Sequence, residues 1–166
     1  MLSLKDLEIS LPLVEEPLLS GITLQMPTGH FAAIVGPSGC GKSTLLKTIA
    51  GILPHTGGTI AWRGRNLDLE DLAPHEFGYV PQFTCAQPLL TTRENLEYAV
   101  RLRRTGSASE IREVVEKLET ETGLTDLQDR RAGVLSGGQL RRLGLAMELA
   151  TSPQLLLADE IGRAHV

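Results

Sequence analysis

Residues 36–44 read Gly-Pro-Ser-Gly-Cys-Gly-Lys-Ser-Thr and lie between the continuous apolar run Phe31–Val35 and a stretch carrying Leu45, Leu46, Ile49 and Ala50 at helical spacing. Such a run predicts a strand buried on both faces, and Gly51 stops the helix that follows. Strand, glycine loop and helix in that order form the setting in which G-x-x-x-x-G-K-[ST] cradles phosphate. The loop Gly36, Pro37, Ser38, Gly39, Cys40 and Gly41 wraps the phosphates, its glycines letting backbone N–H groups converge on phosphate oxygens while Pro37 has none to give, and the helix presents its positive end to the same anion. Lys42 is expected to reach the β- and γ-phosphates of a nucleotide, Ser43 to ligate Mg²⁺, and Thr44 to contact the α-phosphate. A plain glycine turn closing a β–α unit would not require Lys followed by Ser.

The rest of the chain sets that loop in an α/β frame. Strands are expected over Leu2–Leu11, through the alternating Ile22, Leu24 and Met26, over Thr59–Trp62, and ending in Gly78-Tyr79-Val80-Pro81-Gln82. From Pro88 to Arg131 the pattern turns helical. Thr91 with Glu94 forms a capping box, and Ile111, Val114, Val115 and Leu118 repeat at i, i+3, i+4 and i+7 before Gly123. Ser136 is placed to N-cap a helix carrying Leu140, Leu143 and Met147, and Pro153 separates that helix from the apolar strand Leu155–Ala158.

Asp159 ends this last strand, where a carboxylate can hold Mg²⁺ directly or through water, and Glu160 beside it can polarise an attacking water as general base. The chain has 166 residues, 42% of them hydrophobic and 22% charged, with a formal net charge of −4. That is ordinary for one globular domain and gives no basic field for duplex nucleic acid, so no nucleic-acid partner is expected. The apolar stretches fall short of the roughly 20 residues that span a bilayer, and acids near the start replace the core of a signal peptide, which places the chain in the cytosol. Cys40 and Cys85 match no zinc or redox spacing and read as unpaired thiols. Arg101, Arg103, Arg104, Arg141 and Arg142 read as solvated helix faces, Trp62 as strand packing, and His30, His55 and His75 as scattered surface residues.

Leu135-Ser136-Gly137-Gly138-Gln139 before a helix narrows the choice among phosphate-loop proteins. With the Walker A loop at 36–44, a Q-loop at Tyr79-Val80-Pro81-Gln82 and a Walker B strand at 155–159, all in family order, the sequence resembles ATP-binding cassette (ABC) proteins over residues 1 to about 160. The resemblance implies a P-loop NTPase ABC-type core with an N-terminal β subdomain and a helical signature subdomain at about 88–135. It implies ATP and Mg²⁺ as ligands and a head-to-tail dimer with a second ATP-binding domain. In such a dimer Ser136, Gly137 and Gly138 of the signature loop 135–139 bind the γ-phosphate of the partner's ATP. Gln82 contacts Mg²⁺ or the lytic water, so Lys42, Gln82 and Glu160 form the catalytic set and Ser43, Gln82 and Asp159 the metal set. A transmembrane transporter domain is the further partner, at the cytoplasmic face of a membrane.

Thr91-Thr92-Arg93-Glu94-Asn95-Leu96 and Leu-Ala-Met-Glu-Leu-Ala-Thr-Ser-Pro-Gln at 145–154 resemble the white (pigment-precursor) and drug-resistance half-transporter branch, which implies export. The rival is a soluble ABC-class ATPase acting in DNA repair or translation. The stretch between Gln82 and Ser136 leaves room for a small helical subdomain and not for the long insertions of that class. The sequence departs from the family in two places. No clear adenine-stacking aromatic stands among Leu7–Leu19, and Ile-Gly-Arg-Ala-His-Val at 161–166 replaces the family's Pro-Thr-Ser-Gly-Leu-Asp. Those six residues back-translate to a common sequencing-library adapter, so they read as a non-native tail on a domain truncated after Walker B. Residues 1–166 alone are therefore expected to turn over little ATP.

Overall fold

The structure is a computed structural model that describes residues 1–10, 16–73 and 75–159. Glu160, the tail 161–166 and residues 11–15 of the adenine-stacking question lie outside these. The chain divides into two compact units, Met1–Leu72 and a second beginning at Ala73.

The first unit is an antiparallel sheet with one helix. β1 (Leu2–Ile9), β2 (Leu19–Met26), β3 (Gly57–Trp62) and β4 (Arg65–Asn66) lie in the order β2-β1-β3-β4, and α1 spans Lys42–Ile49. In β1 the buried positions change parity, from Leu2 and Leu4 to Leu7 and Ile9. The cause is a bulge, since the registers with both neighbours shift beside Asp6, whose φ is 47°. Asp is among the few residues that tolerate this left-handed conformation. Thr23 Oγ1 fixes the bulge by accepting from the Asp6 amide at 3.0 Å and donating to Asp6 Oδ1 at 3.2 Å. Trp62, opposite Leu2, packs in the sheet at 2% exposure, with the Arg63 guanidinium 5.6 Å from its ring centroid.

Phe31–Val35 corrects the sequence reading. The run forms no strand, and Phe31 and Val35 are 92% and 90% exposed. A segment apolar on both faces becomes a strand only with a paired neighbour and cover on both sides. Among the described residues the first unit's sheet is the antiparallel one above, which supplies neither. His55 is a second correction: it is not a loose surface residue. Its Nε2 lies 2.6 Å from Asp68 Oδ1 and its Nδ1 3.1 Å from the Gly57 carbonyl, which ties the start of β3 to the residues after β4.

The second unit pairs β5 (Phe77–Val80) in parallel with β6 (Leu155–Ala158) and carries α2 (Thr92–Arg103), α3 (Ala108–Glu121) and α4 (Gly137–Leu149). The helices enclose one apolar core in which Leu96, Leu124 and Leu143 are fully buried. Each such leucine contributes about 1.5–3 kcal/mol relative to an exposed one. Two buried polar side chains of this unit are paired. Glu119, 1% exposed, accepts both arms of Arg93 at 3.0 and 2.6 Å, and buried Asn95 pins the 87–91 loop through four hydrogen bonds.

Two arginines expected on solvated faces are engaged instead. Arg103 holds Glu148 of α4 with two hydrogen bonds, and Arg142 donates to the Gly123 carbonyl at 2.8 Å and the Thr122 carbonyl at 3.4 Å, just past the end of α3. A partner distant in sequence made both invisible to charge patterning. Cys40 and Cys85 are free and exposed. No helix among the described residues is long and apolar enough to cross a membrane.

Candidate nucleotide site

The glycine loop turns on two residues in the left-handed region, Gly39 (φ 82°) and Gly41 (φ 93°), a conformation that penalises any side chain. Gly41 is also the N-cap of α1, so the helix starts with no side-chain cap, and its first turn contains no acid. The N–H groups at that end and the helix dipole are thus left unneutralised by any carboxylate of the helix itself. Lys42 opens the helix and folds back over the loop. Its Nζ donates to the carbonyls of Gly36 at 3.0 Å and Pro37 at 2.6 Å and lies 3.8 Å from Cys40 Sγ. An ammonium has three donors, and the contact to sulfur is the weakest of the three. One donor and the full charge remain available to an anion seated in the loop. Ser43 and Thr44 follow on the same first turn.

The other sequence-predicted residues belong to the second unit. Phe77–Val80 and Leu155–Ala158 run in register as a parallel pair, so Gln82 and Asp159 leave the same end of it. The Asp159 amide donates to the Val80 carbonyl at 2.9 Å, and its side chain is buried, 5% exposed. Gln82 and Asp159 line one small cavity together with Pro81, Thr84, Arg141 and Gly144. Burial, and then the charge of Asp159 beside it, push the Tyr79 hydroxyl above its ordinary pKa. That hydroxyl is buried beside the Asp159 carboxylate. A single hard oxygen donor at a strand end suits Mg²⁺, which keeps most of its shell for water and phosphate oxygens. Among the described residues there is no cluster of three or more His, Cys, Asp or Glu that could cage a metal by itself.

The signature segment splits by role. Leu135 is buried and anchors the segment in the helical core. Ser136, Gly137 and Gly138 are exposed at the start of α4. Gln139 turns back to cap the helix: its Oε1 accepts from the Ser136 amide at 2.8 Å while Ser136 Oγ accepts from the Gln139 amide at 3.3 Å. Periodicity revealed the serine cap. The reciprocal glutamine could also be read from S-x-x-Q, whereas Arg141 and Thr84, brought beside Gln82 by folding, had no local signal.

The sulfate/thiosulfate import ATP-binding protein CysA of Mycobacterium tuberculosis (strain ATCC 25618 / H37Rv) is 40% identical over 142 residues, covering 86% of this chain and 40% of that protein. The sn-glycerol-3-phosphate import ATP-binding protein UgpC of Cereibacter sphaeroides is 37% identical over 159 residues, covering 96% of this chain and 45% of that protein. The chain thus spans less than half the length of these curated relatives. Both are import proteins, which corrects the resemblance to the white and drug-resistance branch and the export direction drawn from it. Short segments such as 91–96 and 145–154 are too local to fix a branch. Among solved structures, the dimeric post-hydrolysis state of the ATP-binding cassette MJ0796 bound to ADP and Pi superposes with a TM-score of 0.84 at 30% identity, covering 97% of this chain and 74% of that one. The cbiO1 protein of Clostridium perfringens, part of the ABC transporter complex cbiONQ, superposes with a TM-score of 0.84 at 26% identity, covering 96% and 64%. The ABC transporter family profile matches residues 19–162, and the chain belongs to the ABC transporter family.

Proposed function

We propose that this chain is the ATP-binding and ATP-hydrolysing part of an ABC importer, working at the cytoplasmic face of a membrane with a transmembrane partner. The observation that carries the reading is the loop at 36–41. It is closed by Lys42 over its own carbonyls and leads into a helix that provides neither a side-chain cap nor an acid. Such a loop suits a polyphosphate: the backbone N–H groups take the phosphate oxygens, and the Lys42 ammonium stabilises charge on the β–γ bridge as it breaks. Ser43 and Asp159 have the donor chemistry to hold Mg²⁺, which when bound offsets the charge of the phosphates. Gln82 orients the attacking water, and Glu160 takes its proton.

Ser136–Gly138, small and exposed at a helix N-terminus, fit the γ-phosphate of ATP held by a second copy or a related cassette. The dimeric state of the MJ0796 cassette supports this pairing. The import direction is supported by the named roles of the CysA and UgpC relatives. Release of phosphate from ATP by the full-length protein with Mg²⁺ is the test, and no release overturns the enzymatic reading. Direction is tested by comparing accumulation of labelled solutes, sulfate and sn-glycerol-3-phosphate first, in cells with and without the gene. Lower accumulation without the gene supports import, and higher accumulation overturns it.

A further inference from the structure

Helix α4 grips the segment around Gln82 on both flanks. Near its C-terminal end, Glu148 Oε2 accepts the amide of Tyr79 at 3.2 Å, and Tyr79 stands three residues before Gln82 on β5. One turn earlier on the same face of α4, Gly144 lies so close to Thr84 that a Cβ there would be 3.1 Å from Thr84 Oγ1. Thr84 stands two residues after Gln82, and both line the cavity that Gly144 and Arg141 close from the helix side.

The carboxylate that holds the first flank is itself fixed. Arg103 donates from Nη1 to Glu148 Oε2 at 2.9 Å and from Nη2 to Oε1 at 2.7 Å, and Nη1 also reaches the Met147 carbonyl at 3.2 Å. Glu148 is thereby joined to α2 through the guanidinium and to β5 through one amide. Val80 turns its carbonyl toward β6 to accept the Asp159 amide, so the neighbouring Tyr79 N–H points away from β6, where Glu148 meets it.

We propose that Glu148 is a positioning residue for Gln82. It ties β5 to α4, so that movement of the signature loop at the start of α4 carries Gln82 with it, and the close seat of Thr84 on Gly144 secures the other flank. This rests on the reading of Gln82 and Ser136–Gly138 as parts of an ATP site. A simple staple between α2 and α4 would need only the ion pair, and that difference can be tested. The exchanged pair Arg103→Glu with Glu148→Arg restores the ion pair, but arginine has no acceptor for the Tyr79 amide. Glu148→Gln keeps an acceptor and loses the charge.

Four quantities are measured on the full-length protein: kcat and KM for ATP, the thermal midpoint, and hydrogen exchange at the Tyr79 amide. E148A and the exchanged pair are expected to lower kcat about tenfold at little change in KM, whereas E148Q lowers it only about threefold. The exchanged pair recovers the thermal midpoint lost in E148A, while the Tyr79 amide exchanges fast in both and slowly in the wild type and E148Q. Recovery of kcat together with the thermal midpoint in the exchanged pair overturns the proposal. If that pair fails to fold, a kcat for E148Q as low as that of E148A overturns it equally. The exchange measurement needs no ATP. A wild type that hydrolyses none would sink the proposed function, while unchanged Tyr79 protection in E148A would sink the positioning role.

Discussion

Helices α2 and α3 meet their N-termini with a carboxylate of their own, whereas α1 and α4 carry no acid in the first turn. In α2 the Thr91 hydroxyl accepts from the Glu94 amide at 3.1 Å and Glu94 Oε2 accepts from the Thr91 amide at 2.7 Å. Ser107 and Glu110 repeat the pattern in α3 at 3.4 and 2.7 Å. Both glutamates titrate below the ordinary carboxylate range, chiefly because the cap residue's backbone N–H binds the ionised form. Helix α1 has a glycine in the capping position and no acid in its first turn, and α4 uses the same reciprocal box as α2 and α3 but with neutral Gln139 in place of glutamate. A helix end rich in donors can be satisfied by the chain's own carboxylate or left to attract a phosphate. Which outcome holds is decided here by one or two residues per helix.

The comparison breaks most visibly at α1. If its open end is the phosphate seat, Lys42→Ala lowers phosphate release from ATP by about 10²–10³-fold. Turnover within a few-fold of wild type would place the phosphates elsewhere. A sharper contrast sets Ser136→Ala against Ser107→Ala. Each removes an N-cap and costs about 1 kcal/mol of stability in denaturant titration. On the proposed function only Ser136→Ala also lowers turnover, by about tenfold, because it alone would remove a hydrogen bond to a charged phosphate. Equal turnover in the two variants would make α4 an ordinary capped helix.

The smallest effect is one of pH. A carboxylate whose folded pKa is depressed adds stability that is complete above its unfolded value, near 4.5, and is lost as pH falls through the lower folded value. Amide protection at Thr91 and Ser107 should therefore weaken as the medium is acidified below that point, while Ser136, bound to an amide oxygen, keeps its protection. Parallel loss at all three, followed by NMR hydrogen exchange, would erase the distinction between acidic and neutral boxes.

What could be read along the chain was what short segments determine by themselves. The loop 36–44, the caps at Thr91 and Ser136 and the β6 strand before Asp159 each depend on residues within a turn or two of one another. The Ser107–Glu110 box carries the same S-x-x-E signal and was equally available. Phe31–Val35 was misread because an apolar run states an appetite for burial, and whether it becomes a strand depends on neighbours elsewhere in the chain. Arg103 looked solvated among other arginines because its carboxylate stands 45 positions away. The bulge at Asp6, which reverses the inward parity of β1, likewise follows from its hydrogen bonds to Thr23 on the neighbouring strand and not from its own surroundings in sequence.

The chain contains one tryptophan, and it sits in the antiparallel sheet of the first unit, its indole N–H buried without a hydrogen-bond partner among the described residues. Its fluorescence therefore reports on that sheet, while most of the helical dichroism arises from α2, α3 and α4. Melting curves recorded by the two signals on one sample become a direct measure of cooperativity. Coincident curves mean the sheet and the helices unfold as a single thermodynamic body, and separated curves give each unit its own midpoint.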